Sequence, residues 1–333
     1  MKNAWLLFVF ALFPLSLAGQ SLQPCLDSVL RHAQQSALNR NEVDWDSIRA
    51  QVYARAAQAQ TVAELGPAFS VLLGALGDDH GRVYYQNQMI AYWFGEPKAH
   101  QKDIDPNMWG AVQSGLYPLR TALLADSVGY IRLPGMPMGD NAQMSADLRA
   151  LVCQLSDQGA RCWIIDLRGN SGGNIFPMLE GLGPLLGEGL IGSHRDPVAR
   201  TEHRWTIRNG NFWYGEYQAV DLPNTCPLKT PPRIAILTSR YTASSGEMVA
   251  ITFKTRPNTR FFGEKTSGMI TITNWAQPCD GLSITLSSAL CADRTGRVYR
   301  EYVDVDEVVP FFIAEEFDDD PAIQKALNWL QIK

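Results

Sequence analysis

Two serines, Ser244 and Ser245, stand directly ahead of Gly246 and Glu247 in the run TSRYTASSGEMVAITFKT, residues 238–255. The strand-like RIAILTS precedes them and an apolar stretch follows, so they fall where a strand turns into a helix. Amides in the first turn of a helix have no acceptor within the helix and point toward negative charge, which gives a hydroxyl placed there a ready oxyanion site. Serine is also a good helix cap, so capping is the plainer role for either residue. The pattern is not the G-x-S-x-G elbow, because Thr242 occupies the first glycine position. A second stretch, WIIDLRGNSGGN (163–174), runs from a strand into a glycine-rich loop whose amides can face a ligand or simply make a tight turn. It matches neither nucleotide-binding signature. A third, LGDDHGRV, sets His80 beside Asp78 and Asp79, a setting suited to a general base as well as to an ordinary polar turn. His32, His100, His194 and His203 lack such a setting, and no pair has the spacing of a metal-binding helix.

The elements that must hold these residues are readable from periodicity. From Cys25 to Gly77 the apolar spacing is helical, with Leu65, Phe69, Leu72 and Leu76 at three- and four-residue steps. Thr61–Glu64 (TVAE) reads as a capping box and Gly77 as a stop. Residues 81–127 mix a strand, RVYYQ, with the surface-like FGEPKAHQKDIDPNMWG. Thereafter SVGYIRL (127–133), CWIIDLR (162–168), RIAILTS (233–239) and GLSITLS (281–287) read as short strands, and AQMSADLRALVCQL (142–155) as a helix. That alternation predicts α/β layering. The tail DDDPAIQKALNWL predicts a docking helix with Asp320 as N-cap, Pro321 at its first position, and Ile323, Leu327 and Leu330 on one face.

The opening MKNAWLLFVFALFPLSLAGQ places one lysine before an apolar run and a Ser16-Leu17-Ala18 site, the pattern of a secretory signal peptide over residues 1–18. The run is shorter than the roughly 20 residues a bilayer span needs, and no later segment is apolar enough to span. Export predicts a periplasmic, cell-surface or extracellular location. The net charge of −5 is spread along the chain with no basic stripe, which argues against nucleic acid as a partner. Six cysteines in an exported chain can form disulfides. Local bridges, Cys279 with Cys291 and Cys153 with Cys162, are one expectation and buried free thiols the other, while no C-x-x-C pair suggests redox or zinc chemistry.

Taken in order, D-x-H at 78–80, D-L-R-x-N-x-G-G, T-A-S-x-x-E and GEKTSG (263–268) resemble the tail-specific and tricorn-type serine peptidases of family S41, from about residue 25 to the end. The resemblance implies a ClpP/crotonase-like α/β core over 128–333 with a C-terminal helix, a helical subdomain over 19–80 and a connecting segment over 81–127. It implies Ser244 as nucleophile. Met269 stands where the lysine-using branch has its base, and Lys265 holds the place of that branch's proline. His80 instead matches the branch whose base is a histidine in the N-terminal part. That branch carries an acid near the C-terminus; in DRTGRVYREYVDVDEVVPF, Glu301 is preferred and Asp304 is the alternative, with Asp306 and Glu307 crowding the same segment. Oxyanion donors are expected from the amide of Ser245 and that of Gly172 or Gly173, with Asp166 and Arg168 pinning the loop. Residues 81–127 leave no room for the PDZ module of many tail-specific relatives. The implied activity is hydrolysis of a peptide or protein through an acyl-enzyme, with neither metal nor organic cofactor. The rival is a catalytically inactive binding protein for a peptide or an apolar ligand. Nothing in the sequence indicates an oligomeric state.

Overall fold

The computed structural model describes residues 22–97, 101–223, 226, 228 and 231–330. The signal-peptide expectation lies outside these residues.

The fully apolar runs become the centre of a parallel sheet. Strands β4 (Val128–Arg132), β5 (Cys162–Asp166) and β10 (Ile234–Thr238) are buried at every position, as strands covered on both faces must be. With β3 (Arg120–Leu124), β11 (Thr259–Gly263) and β14 (Glu307–Val308) they form the order β14-β11-β10-β5-β4-β3, parallel except for the antiparallel edge pair β3–β4. Successive residues serve opposite faces. Ile165 and Ile236 pack toward helices α5 (Asn141–Asp157), α6 (Ile175–Gly181) and α8 (Ser245–Phe253). Ile164 and Leu237 pack toward α9 (Pro321–Leu330). Asp320 caps α9 as the sequence predicts, accepting from the amides of Ala322 (3.1 Å) and Ile323 (3.2 Å).

A second sheet is antiparallel. Its order is β2 (Gln88–Tyr92), β1 (Arg82–Tyr85), β13 (Leu282–Asp293), β6 (Gly189–Asp196), β7 (Thr201–Arg208), β8 (Asn211–Tyr214) and β9 (Tyr217–Gln218), with β12 (Thr271–Cys279) paired to β13. Leu282, Ile284 and Leu286 of β13 share one core with α1 (Gln23–Ser36), α2 (Trp45–Ala56) and α3 (Gly66–Ala75). The stretch GLSITLS belongs to this sheet, and its strand is longer than predicted. The meander β6–β9 was not anticipated. α4 (Pro106–Gln113) and α7 (Gly183–Leu186) complete the helices.

Two local expectations are revised. Glu64 accepts from the amide of Gln60 (2.8 Å) rather than closing a box with Thr61. The chain makes a short 3-10 turn at Ala63–Leu65 before α3, which ends at Gly77 with φ +62°. The disulfides are Cys25–Cys279 and Cys153–Cys226, not the local pairs. Cys279 lies at the hairpin end of β12 whereas Cys291 lies at the other end of β13, and Cys162 faces α9, on the opposite side of the sheet from α5 with its Cys153. Cys162 and Cys291 are buried thiols.

Candidate active site

The turn after β10 is fixed from behind before it presents a serine. Thr242 Oγ1 donates to Leu167 O (2.8 Å), Ser239 Oγ donates to Arg168 O (2.6 Å), and the Ala243 amide donates to Asn170 O (2.9 Å). Ser244 is then forced to φ +52°, ψ −122°, a conformation that is costly for a residue with a side chain and that clusters at functional turns. Glu247, fully buried three positions on, holds it there. One carboxylate oxygen accepts the Ser244 amide (3.0 Å), and the other accepts Thr266 Oγ1 (2.5 Å) and the Gly268 amide (2.8 Å).

The glycine-rich loop is pressed against this turn. Gly172 and Gly173 have φ of +105° and +102°, and a Cβ on Gly172 would lie 2.7 Å from Ser244 Cβ. A Cβ on Gly173 would meet Met136 O at 2.0 Å. These two contacts explain the glycines better than general flexibility does. The Gly172 amide is engaged, donating to Asn170 Oδ1 (3.0 Å), so of the two expected glycine donors only the Gly173 amide is left clear of that bond. The Ser245 hydroxyl donates to Gly173 O (2.6 Å), which ties the loop to the first residue of α8.

His80 arrives from the turn between α3 and β1. It follows α3 in a turn shaped by Asp78, whose Oδ1 accepts the amides of His80 (3.2 Å) and Gly81 (2.8 Å). The ring bridges two hydroxyls: Nε2 lies 3.0 Å from Ser244 Oγ and Nδ1 lies 3.0 Å from Thr271 Oγ1. Burial holds the imidazole below its ordinary value of 6.5; Asp78 opposes that depression and Arg82 adds to it. The ring is accordingly neutral near pH 7 and able to take a proton. Beside it opens a cleft of about 200 Å³ lined by Arg82, Tyr84, Trp109, Met269 and Thr273 together with Ser244 and His80.

Neither acid expected near the C-terminus reaches the ring. Glu301 is exposed, and Asp304 pairs with Lys254 (3.3 Å). Thr271 occupies the position at Nδ1 that an acid would need. Lys265 points its ammonium at Tyr302 Oη (2.9 Å). Behind the glycine-rich loop, Arg168 forms paired bonds to Asp166 (2.9 and 2.7 Å), and Tyr130 Oη donates to the same carboxylate (2.7 Å). Thr271 and Asn170 were not singled out in the sequence. Thr271 lies three positions past the GEKTSG stretch with no motif of its own, whereas Asn170 sits in the glycine-rich loop with nothing in its residue type to mark a role. Among the described residues no three His, Cys, Asp or Glu side chains cluster so as to hold a metal ion.

A strained serine at a strand-to-helix turn, a neutral histidine at hydrogen-bond distance and glycine amides alongside define a serine-hydrolase type of arrangement. The model of peptidase family S41 matches residues 127–309, and the chain belongs to that family. It is 29% identical over 199 residues to the nisin-resistance protein of Lactococcus lactis subsp. lactis, covering 58% of this chain and 57% of that one. It is 30% identical over 164 residues to the chloroplastic carboxyl-terminal-processing peptidase 1 of Arabidopsis thaliana, covering 48% and 29% respectively. The chain thus matches less than two thirds of the length of either relative. Among solved structures, a lipoprotein from Streptococcus agalactiae superposes with a TM-score of 0.71 at 20% identity over 97% of this chain and 99% of that one. The photosystem II D1 C-terminal processing protease superposes with a TM-score of 0.56 at 15% identity, covering 92% and 97%. Both likenesses establish the shared fold. No helix among the described residues is long and apolar enough to cross a membrane.

Proposed function

We propose that the chain is an exported serine-type peptidase in which Ser244 is the nucleophile and His80 the general base. The observation that carries this reading is the 3.0 Å contact between His80 Nε2 and Ser244 Oγ, made between turns that flank strands of different sheets, at a serine held in a strained conformation. In the forward step Nε2 takes the hydroxyl proton as Oγ attacks the substrate carbonyl carbon. The carbonyl oxygen, now an alkoxide, faces the amides of Ser245 and Gly173. His80 then returns the proton to the leaving amine, and an acyl-enzyme remains. Water repeats the cycle with the ester and frees Ser244. Each oxyanion donor of this kind contributes about 3 kcal/mol to the transition state.

Family membership supports a peptide or protein as substrate, and the relatives named for carboxyl-terminal processing and for nisin resistance support an extended peptide segment in the cleft. Two disulfides, together with the leader-like opening, support export. The rival, a binding protein that keeps the fold without turnover, predicts a different outcome of one experiment. A fluorophosphonate probe should label the folded protein and should fail to label Ser244→Ala. Absence of labelling on folded wild-type protein would favour the binder.

A further inference from the structure

Behind His80 the hydrogen bonds continue. Thr271 Oγ1 lies 2.7 Å from Ser287 Oγ, and Ser287 Oγ donates to Asp78 Oδ1 at 2.7 Å. Asp78 Oδ2 also accepts the Ser287 amide at 2.8 Å. We propose that Asp78, acting through the hydroxyls of Ser287 and Thr271, is the positioning residue that sets the tautomer of His80 and stabilises its charge during turnover. This rests on the reading of His80 as the base.

Counting protons fixes the direction of the chain. A carboxylate only accepts, and a hydroxyl has one proton to give. Ser287 gives its proton to Asp78, so it must accept from Thr271. Thr271 has then given its only proton and must accept from His80. The ring therefore carries hydrogen on Nδ1, and Nε2 presents a bare lone pair to Ser244. The carboxylate, through two intervening oxygens, thus selects together with the Thr271 backbone, which also hydrogen-bonds the ring, the one tautomer that can deprotonate the nucleophile. When Nε2 gains the Ser244 proton, the Nδ1–H stays where it is. The two hydroxyl dipoles already point their negative ends at the ring, and the carboxylate lies behind them. In a buried setting such aligned bonds strengthen one another. Asp78 and Ser287 are both buried. The charged groups facing His80 are Asp78, Asp79 and Arg82, and the field of Asp78 acts to raise the ring's proton affinity against the effect of burial.

The arrangement accounts for a histidine whose ring nitrogens, among the described residues, meet hydroxyls rather than a carboxylate. It also gives Thr271 and Ser287 a shared purpose, although they sit on neighbouring strands with no sequence signature between them.

The test combines kinetics with a spectroscopic readout that needs no turnover. Long-range ¹H–¹⁵N spectra of the His80 ring in the full-length mature protein should show Nδ1 protonated and Nε2 bare. In Ser287→Ala, Thr271 is free to donate toward the ring, and the spectrum should shift toward the Nε2–H form. Thr271→Val should lower kcat/KM roughly tenfold to a hundredfold, the scale of one charge-assisted hydrogen bond, with thermal stability retained, and Thr271→Ser should restore most of it. Asp78→Asn should move the acid limb of kcat/KM to lower pH; should that variant fail to fold, the Ser287→Ala spectrum carries the same information. Wild-type kcat/KM and an unchanged ring tautomer in both Thr271→Val and Ser287→Ala would overturn the relay, and loss of probe labelling in Ser244→Ala would still uphold the hydrolase. Conversely, an unlabelled wild-type protein with the Nδ1–H tautomer in place would sink the hydrolase and, with it, the role of Asp78 in turnover, leaving only the setting of the tautomer.

Discussion

Arg168 and Asp320 are 152 positions apart, yet they meet inside the core through two hydrogen bonds of 3.0 and 2.8 Å, with neither side chain more than 1% exposed. The same carboxylate caps α9, and the same guanidinium clasps Asp166 at the root of the glycine-rich loop. The C-terminal helix is therefore wired to the loop proposed to bind the oxyanion. Asp320→Ala leaves a buried cation short of a partner and a helix without its cap. It should cost about 3–5 kcal/mol in urea unfolding, with Asp320→Asn intermediate because the cap oxygen survives. A cost under about 1 kcal/mol, the scale of an exposed pair, would show that the clasp is not structural.

The pH dependence follows from the buried imidazole. Its folded-state value lies below 6.5. The acid limb of kcat/KM should accordingly lie below pH 6.5, with a flat profile through neutrality. The sign for stability is the same. The unfolded chain protonates this ring more readily, so its contribution is complete above about pH 6.5 and is lost as pH falls through the folded value. Urea midpoints of wild type and His80→Asn, compared from pH 8 down to 5, should converge on the acid side. Parallel midpoints across that range would refute the assignment.

Gly172→Ala brings a methyl group to 2.7 Å from Ser244 Cβ at a backbone φ of +105°. The neighbours there are backbone and Cβ atoms, so no flexible tip can swing aside. Probe labelling should fall by at least a hundredfold, the scale of a misplaced reacting group. Near-normal labelling would mean that the loop and the serine turn are farther apart in solution.

The bridge Cys25–Cys279 staples α1 to the end of β12, the strand whose first residue is Thr271. Replacing both cysteines by alanine should lower stability by about 2–4 kcal/mol. The His80 side of the site should loosen with it, so kcat should fall more than KM rises. An unchanged melting temperature after selective reduction would count against the staple.

What the sequence made legible divides by the range of the interactions involved. The strands β4, β5 and β10 announce themselves as unbroken apolar runs, because burial on both faces is a local compositional demand. Ser244, His80 and the paired glycines were likewise visible, since each lies in a turn whose residue types are locally constrained. β13 was visible as a strand, but its sequence alone did not say which sheet it joins. Its burial alternates only over Leu282–Thr285, as in an antiparallel strand covered on one face, and from Leu286 onward it is buried throughout. Thr271 and Ser287 left no trace, because hydroxyl residues are common and only the pairing of β12 with β13 brings these two together. Asp78 was noticed as a neighbour of His80 in sequence, but its route to the ring runs through strands more than 190 positions downstream.

That route begins and ends within one turn. Residues 78 and 80 sit on the same short loop, and the path between them passes out through two strands and returns. The arrangement behaves as a cassette: the proposed acid and base travel together on three consecutive residues, and a recipient scaffold need offer only a pair of hydroxyls on adjacent strands to close the loop. Substitution of Tyr84, Trp109 or Thr273, which line the cleft, can therefore reshape it without dismantling the proposed proton-handling parts, because those parts lie elsewhere.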